Sequence, residues 1–545
     1  MSNRTRIYVL AISLLGTTGP ISSQDRAPQN DSIRTTDLAS DVSFLASDNM
    51  RGRLTGTPEN RLAADFIRSR FQQLDLKPVG DDGHLMQFGL IVPTLGDTET
   101  NALQLRDGKS NAAPPLLGKD FFPERFSDTG SARGSVVFVG FGISAPALDH
   151  DDYGDADVSG KMVLMLDHEP GEFDAASPFD GIAMSEHGRL VRKVAEAQRR
   201  GADAVLIVAD VHNHETGPGL SDQMRSTWPV ASRRVPRYEL AAWTETIRIP
   251  AVRITSELAA RIVSGTGTNL EVFAQRADKP TGFTAVPLDV EVEVTTVVER
   301  HYVTEHNVVG LLEGSDATLR NEWIIVCAHF DHEGASGARI FNGADDDASG
   351  VAGLLEIAEA YALAAQNGTR PRRSILFAAW NAEERGLFGS WAYTEQPLAP
   401  LSDTVALINM DMIGRNEEVP PDAGRRFRGL PAQTSASNRN AVNLLGYSYS
   451  TDMRRAADTA NTAIGLTLRF RYDNNRSNLL RRSDHWPFLT RGVPALFVHS
   501  GLHPDYHTER DQADKLNYQK MMRIVKLVHQ LSWDLAQHDG RPTLN

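Results

Sequence analysis

Four short apolar runs in the second half of this 545-residue chain constrain its fold more than any other feature. They are 323–328 (WIIVCA), 374–380 (SILFAAW), 405–410 (VALINM) and 493–498 (VPALFV). Runs this short and this uniformly apolar suit strands buried on both faces. Between the first two lies 350–365, where Val351, Leu354, Leu355, Ala358, Tyr361 and Ala362 recur at helical spacing before Gly368 and Pro371 end the pattern. Strands alternating with helices predict an α/β fold, with a mainly parallel central sheet and helices on both faces.

The length implies more than one domain, at roughly 100–200 residues each. Residues 1–23 carry Arg4 and Arg6 ahead of the apolar stretch 7–16. That stretch is far short of the about 20 residues that span a bilayer, and it reads as a signal peptide. An exported protein, periplasmic or extracellular, is therefore expected. No later stretch reaches about 18 apolar residues, so no membrane association is expected after leader cleavage. Residues 24–37 are polar and read as a linker. From 38 to 76 apolar residues fall at helical spacing around the glycine-punctuated loop 50–58 (MRGRLTGTP). Further on, 135–141, 162–166 and 204–208 read as strands, 191–200 as an amphipathic helix and 209–248 as loop. The predicted layout is a leader at 1–23, a linker at 24–37, a main domain split into 38–125 and 286–545, and an insert at 126–285.

Lys+Arg number 56 and Asp+Glu 70, a net charge of −14. With no basic cluster, this excludes a typical nucleic-acid binder. The single cysteine, Cys327, rules out an intramolecular disulfide. It shares a strand face with His329 and reads as a buried, inert thiol.

Ligands of open α/β sheets bind beyond the carboxyl ends of the strands, and here those ends are ionisable. The first run leads into His329-Phe330-Asp331-His332 and then 342–350 (NGADDDASG). The second leads into Glu383-Glu384, the third into Asp411 and the last into Asp505-Tyr506-His507-Thr508. Taken singly, three aspartates before a helix suit an N-cap, and a glutamate pair suits a solvated turn. Taken together, converging carboxylates repel unless cations neutralise them. Histidine and carboxylate ligands suit zinc, and paired ions about 3.5–4 Å apart are a common hydrolytic arrangement.

In order, these motifs resemble the co-catalytic di-zinc exopeptidases, a family that includes secreted bacterial aminopeptidases, glutamate carboxypeptidase II and the inactive transferrin receptor. The resemblance covers about 285–545 and, more loosely, about 36–120. The block with Gly160-Lys161-Met162-Val163 and 201–205 (GADAV) resembles a protease-associated domain inserted in such enzymes. The resemblance implies the zinc exopeptidase fold and two Zn2+ ions per chain. His329 and Asp411 would bind one ion, Glu384 and His507 the other, and Asp346 both. Glu383 would be the general base toward a metal-bridging water, Asp331 would orient His329, and Tyr506 would steady the oxyanion. Peptides are the implied partners, and N-terminal hydrolysis by an aminopeptidase is the expected activity. A carboxypeptidase of the glutamate carboxypeptidase II type is the alternative, with Arg481, Arg482 and Arg491 available for a substrate carboxylate. A glutaminyl cyclase should use a single zinc, and a receptor-like ectodomain should have lost ligands. Ser483-Asp484-His485 are too close in sequence to form a triad, whose members come from separate elements. His332, His499 and His503 receive no role.

Overall fold

A computed structural model describes residues 26–545 apart from 107–112, 175, 180, 182–183, 215–218, 230–234, 280–281 and 423, so the leader expected at 1–23 lies outside the described residues. The four apolar runs become neighbouring strands of a nine-stranded sheet. Its order is Thr467–Phe470, Ala441–Leu445, Ala495–His499, Thr404–Met410, Trp323–His329, Ser374–Trp380, Val298–Leu312, Leu85–Leu95 and Glu239–Leu240. The strands from 495–499 to 374–380 run parallel. Antiparallel neighbours flank them on both sides. The sheet is thus parallel where its strands are most apolar and mixed overall.

Both faces are covered, as a buried parallel centre requires. Ile324, Val326 and Ala328 enter one core with helices Thr35–Leu45, Pro58–Gln73, Gly350–Gln366 and Tyr518–Gln537. Ile325 and Cys327 point the other way, toward helix Phe388–Glu395 and the short helix Trp486–Leu489. Helix 58–73 starts cleanly because Pro58 sits in its first turn and the Thr57 hydroxyl accepts from the Asn60 amide at 3.3 Å. Among the described helices, only Ala344–Gln366 is long and apolar enough to cross a membrane, and its apolar window is 83% buried inside the fold. It is a core helix, wedged between the sheet and helix 518–537.

A second, seven-stranded sheet orders Ala102–Arg106, Val286–Thr296, Gly130–Phe138, Met162–Leu166, Ala204–Val208, Ala251–Ile254 and Phe121–Pro123. The strands 130–138, 162–166, 204–208 and 251–254 are parallel, with helices on both faces. This sheet reaches beyond the 126–285 expected from sequence, because 102–106 and 286–296 pair as its edge ribbon. The linker expected at 24–37 is also corrected. Ala27 and Ile33 are buried, the Ala27 amide donates to Gln530 Oε1 at 2.8 Å, and a helix begins at Thr35. Two apolar residues in a polar stretch suffice to seat it against helix 518–537. Within 209–248, read as loop, lie helix Leu220–Thr227 and strand Glu239–Leu240.

A ribbon of the main sheet leads into the second sheet. Leu85–Leu95 and Val298–Leu312 pair antiparallel, with Leu95 opposite Val298, so the chain leaves and re-enters the main sheet at one place. Strand 239–240 returns from the second unit to pair with 85–95. The Arg189 guanidinium lies 4.8 Å from the Trp243 ring and 5.2 Å from that of Trp391, tying the two units by cation–π contacts.

Candidate metal centre

Every ionisable residue expected at a strand end lies at the carboxyl edge of the parallel strands, and most converge. His329 closes strand 323–329. Its Nε2 is 3.2 Å from Asp346 Oδ1, 3.7 Å from Asp411 Oδ1 and 3.9 Å from Glu383 Oε2. His507 Nε2 is 3.0 Å from Asp346 Oδ2 and 3.2 Å from Glu384 Oε2. Asp346 therefore stands between the two histidines. Tyr506 lines the same cleft as Asp346, Glu383, Asp411 and His507, and its ring packs on His507 with centroids 3.9 Å apart. Ala382, Met412 and His507 hold left-handed backbone with φ of 58°, 58° and 55°. Strained non-glycine residues of this kind cluster at functional sites.

The three aspartates preceding helix 350–366 divide the work. Only Asp346 turns its carboxylate to the cleft; the peptide joining it to Asp347 is cis. Asp345 Oδ1 accepts the Gly414 and Arg415 amides at 2.6 and 3.0 Å, and its Oδ2 is 3.2 Å from His503 Nε2. Asp347 accepts the amides of His329, Gly350 and Met412 at 3.2, 2.8 and 3.1 Å. It ties together the segments that carry His329, Asp346 and Asp411.

Asp331 does more than neighbour His329, whose Nδ1 is 3.7 Å away. Its carboxylate accepts the Glu383 and Glu384 amides at 3.0 and 3.3 Å and the Thr55 hydroxyl at 3.1 Å. The glutamate pair is thus held from behind. Sequence reasoning gave His332 no role, yet it is fully buried with Nδ1 2.7 Å from Glu384 Oε1 and 3.8 Å from Asp346 Oδ2. Its signal is the three-residue offset from His329 at the same strand end, which does not reveal which ring faces inward. His499 Nδ1 contacts the Asp411 carbonyl at 3.0 Å. Arg53, also unassigned, is buried and donates to the carbonyls of Phe330, Asn342 and Gly343 at 2.9, 2.7 and 3.0 Å.

Ser483, Asp484, His485 and Cys327 hold structural places. Ser483 donates to Asp411 Oδ2 at 2.6 Å, Ser390 donates to Asp484 at 2.5 Å, and His485 stacks on Phe497, so the three do not form a triad. Burial pushes the Cys327 thiol well above its ordinary range. Of the three arginines, Arg482 lines the cleft, Arg481 lies over Trp486 and Arg491 pairs with Glu395.

Electrostatics mark the cluster as short of positive charge. Burial pushes the Glu383 carboxyl well up, and Glu384, Asp411 and Asp484 push it further, against the pull of His329. Burial alone would lower His329, but Glu383, Asp331, Asp346 and Asp411 carry its imidazole well above the ordinary range. Asp346 and Glu384 are held low against their burial by the surrounding histidines. Both ring nitrogens of His329 and of His332, Asp346 Oδ2 and Glu384 Oε1 are buried and make no well-directed hydrogen bond, although His332 Nδ1 lies 2.7 Å from Glu384 Oε1 and His507 Nε2 3.0 Å from Asp346 Oδ2. Buried polar atoms are normally paired. Imidazoles and carboxylates left open toward one point form a donor set that fits zinc. His329, Glu383 and Asp411 bring ligand atoms within reach of one position, and His332, Asp346 and Glu384 within reach of another.

Comparison with known proteins agrees in part of the chain. Residues 307–532 match the model described as Peptidase family M28. The chain is 26% identical over 498 residues to a probable glutamate carboxypeptidase (AMP1) of Arabidopsis thaliana, covering 87% of this chain and 63% of that protein. It is 30% identical over 289 residues to the aminopeptidase NAALADL1 of Mus musculus, covering 46% and 37%. The chain thus spans less than two thirds of the length of these curated relatives. Among solved structures, an aminopeptidase from Aneurinibacillus sp. strain AM-1 aligns over 95% of this chain and 97% of its own, with a TM-score of 0.47 and 19% identity.

Proposed function

We propose, from the match of residues 307–532 to peptidase family M28, that the chain is an exported zinc-dependent aminopeptidase that removes residues from the N-termini of peptides. The observation that carries this reading is the meeting of His329, Asp346, Glu384, Asp411 and His507 around one cleft, with Glu383 and Tyr506 on its wall. Similarity to a protein named an aminopeptidase supports it.

We assign His329 and Asp411 to one zinc, Glu384 and His507 to the other, and Asp346 to both. The 3.2 Å and 3.0 Å separations of the Asp346 oxygens from His329 and His507 support the shared position. When bound, such a pair lowers the pKa of water and polarises a carbonyl. Glu383 takes the proton of the attacking water and returns it to the departing amine. The Tyr506 hydroxyl, kept protonated by burial and the nearby carboxylates, donates to the developing oxyanion. Asp331 and His332 position the glutamate pair. Met412, Leu479, Phe497 and Leu502 supply an apolar wall against which a substrate side chain packs.

Glu383→Gln should lower turnover by about 10²–10⁴-fold, the usual share of general acid–base catalysis, with zinc content unchanged; retained turnover would remove Glu383 as the base. The double variant His329→Ala/His507→Ala should hold two fewer zinc ions per chain than the wild type by elemental analysis. A deficit of one would reject the paired centre.

A carboxypeptidase reading is favoured by one observation, the presence of Arg482 in the cleft, and by the Arabidopsis relative's name. Aminoacyl chromogenic substrates assayed beside N-acetylated dipeptides with a free C-terminal carboxylate separate the two. Release of the C-terminal residue from the blocked dipeptide, with no cleavage of the aminoacyl substrate, would transfer the assignment to the carboxypeptidase.

We also assign residues 1–23 to a cleaved leader and the second sheet to a protease-associated insert. Exported protein should begin near residue 24 on N-terminal sequencing. Recovery of the intact Met1 form from the cytoplasm alone would reject export.

A further inference from the structure

A second group of metal-ligating side chains lies in the insert. His168 follows strand 162–166 and His214 follows strand 204–208, which are adjacent and parallel, so both histidines sit beyond the carboxyl ends of neighbouring strands. Such edges are where α/β sheets bind ligands. His168 Nδ1 and His214 Nε2 approach one oxygen, Glu172 Oε2, at 2.8 and 2.7 Å. The two rings stand 4.4 Å apart at 72°. One ligand atom from each of the three residues falls within 4.8 Å of the others.

Both segments are held in place by their own backbone. His168 has φ of 65°, a left-handed conformation unusual for a histidine. Its carbonyl accepts from Lys193 Nζ at 2.7 Å, a buried ammonium that also donates to the Leu166 carbonyl at 2.8 Å. On the other segment, Asp210 accepts from the His212 amide at 3.0 Å and from the Asn213 side chain at 2.8 Å. Its carbonyl accepts from the His214 amide at 3.0 Å. The two imidazoles are therefore presented toward Glu172 by locally braced turns rather than by mobile side chains alone.

We propose that His168, Glu172 and His214 form a binding site for a divalent cation of the zinc class, separate from the cleft. Two imidazoles and one carboxylate are a three-ligand set that zinc accepts, with water completing the shell. Calcium and magnesium, which take oxygen ligands, do not suit it. Tetrahedral bonds of about 2.0–2.2 Å separate ligand atoms by roughly 3.4 Å, so the imidazole–carboxylate contacts of 2.8 and 2.7 Å need to open by about 0.6–0.7 Å. Each imidazole binds in its neutral form through the nitrogen now facing Glu172, keeping one proton on His168 Nε2 and on His214 Nδ1 and releasing any second proton to solvent, and the ion takes the place of the shared protons. The ion would clamp the loop after 162–166 to the loop after 204–208.

The test uses the full-length chain, stripped with a chelator, reloaded with excess zinc and desalted. Wild type should retain one more zinc per chain than either His214→Ala or Glu172→Gln, with peptide turnover of all three within two-fold. Equal zinc content in the three proteins would overturn the site. A variant-free measurement covers the case of misfolding. Histidine acylation read by mass spectrometry should modify His168 and His214 at least five-fold more slowly when zinc is present, and unchanged rates would overturn the proposal. Both readouts are local to the insert, so they hold whatever the cleft proves to contain.

Discussion

Asp345, Asp346 and Asp347 are indistinguishable in sequence and unlike in place. The sequence announces that negative charge gathers before helix 350–366, and the usual reading of such a run is dipole complementation. What separates the three is which backbone amides each meets, and those amides belong to residues up to 70 positions away. Asp347→Ala should cost about 3–5 kcal/mol, because three buried amides lose their acceptor, measured as a shift in the urea unfolding midpoint. His332 shows the same limit of legibility: its distance from His329 in sequence says nothing about which imidazole meets Glu384. Glu356 illustrates a residue whose chemistry is structural. Burial, with Glu359, Asp37 and Asp41 nearby, pushes its carboxyl up to about 7. The fold thus binds this proton more tightly than the unfolded chain. Its stabilising effect is full below the ordinary value of 4.5 and is lost as pH rises through about 7. Glu356→Gln should therefore raise stability by about 2 kcal/mol at pH 8 and change it little at pH 4, as unfolding curves at the two values will show.

At the scale of elements, the strands readable in advance were those buried on both faces. Trp323–His329, Ser374–Trp380, Thr404–Met410 and Ala495–His499 are nearly continuous apolar runs because helices cover them above and below. Val298–Leu312 is longer than any of them but carries Glu299, Arg300, His301, Glu305 and His306. Its first half forms an outlying ribbon and needs no apolar face, so composition conceals it. The loop 50–58 was legible as a loop and opaque as a support. Its Arg53 reaches under the turns that carry His329 and Asp346, donating to three carbonyls within 3.0 Å. Arg53→Met should destabilise by about 3–5 kcal/mol, since it leaves buried acceptors unpaired. It should also reduce zinc retained after desalting, because the turns lose their floor. Normal zinc retention in a destabilised variant would separate this support from the cleft.

For the whole molecule, the unit boundaries were the least legible feature, since they depend on edge strands whose partners lie far along the chain. Strand 102–106 pairs with 286–296, and no local signal in either segment names the other. Metal should matter at this scale too. A cation bound only by the fold stabilises it by about 2.7 kcal/mol at one hundred times its dissociation constant. Chelation should therefore lower the thermal midpoint and abolish turnover together, and zinc should restore both. The pairing of Leu95 with Val298 carries a further consequence. Strands meeting like this are ordinarily joined by a tight hairpin turn of two to five residues, and here residues 96–297 stand in that position. Loop-closure entropy rises only with the logarithm of length, so a passenger of this size burdens the host hairpin little more than a modest loop. In evolutionary terms the turn is an open socket: a self-contained sheet can be gained, exchanged or enlarged there without shifting the register of the strands that carry the chemistry. Strand 239–240 and Trp243 are where the present passenger is fastened to its host.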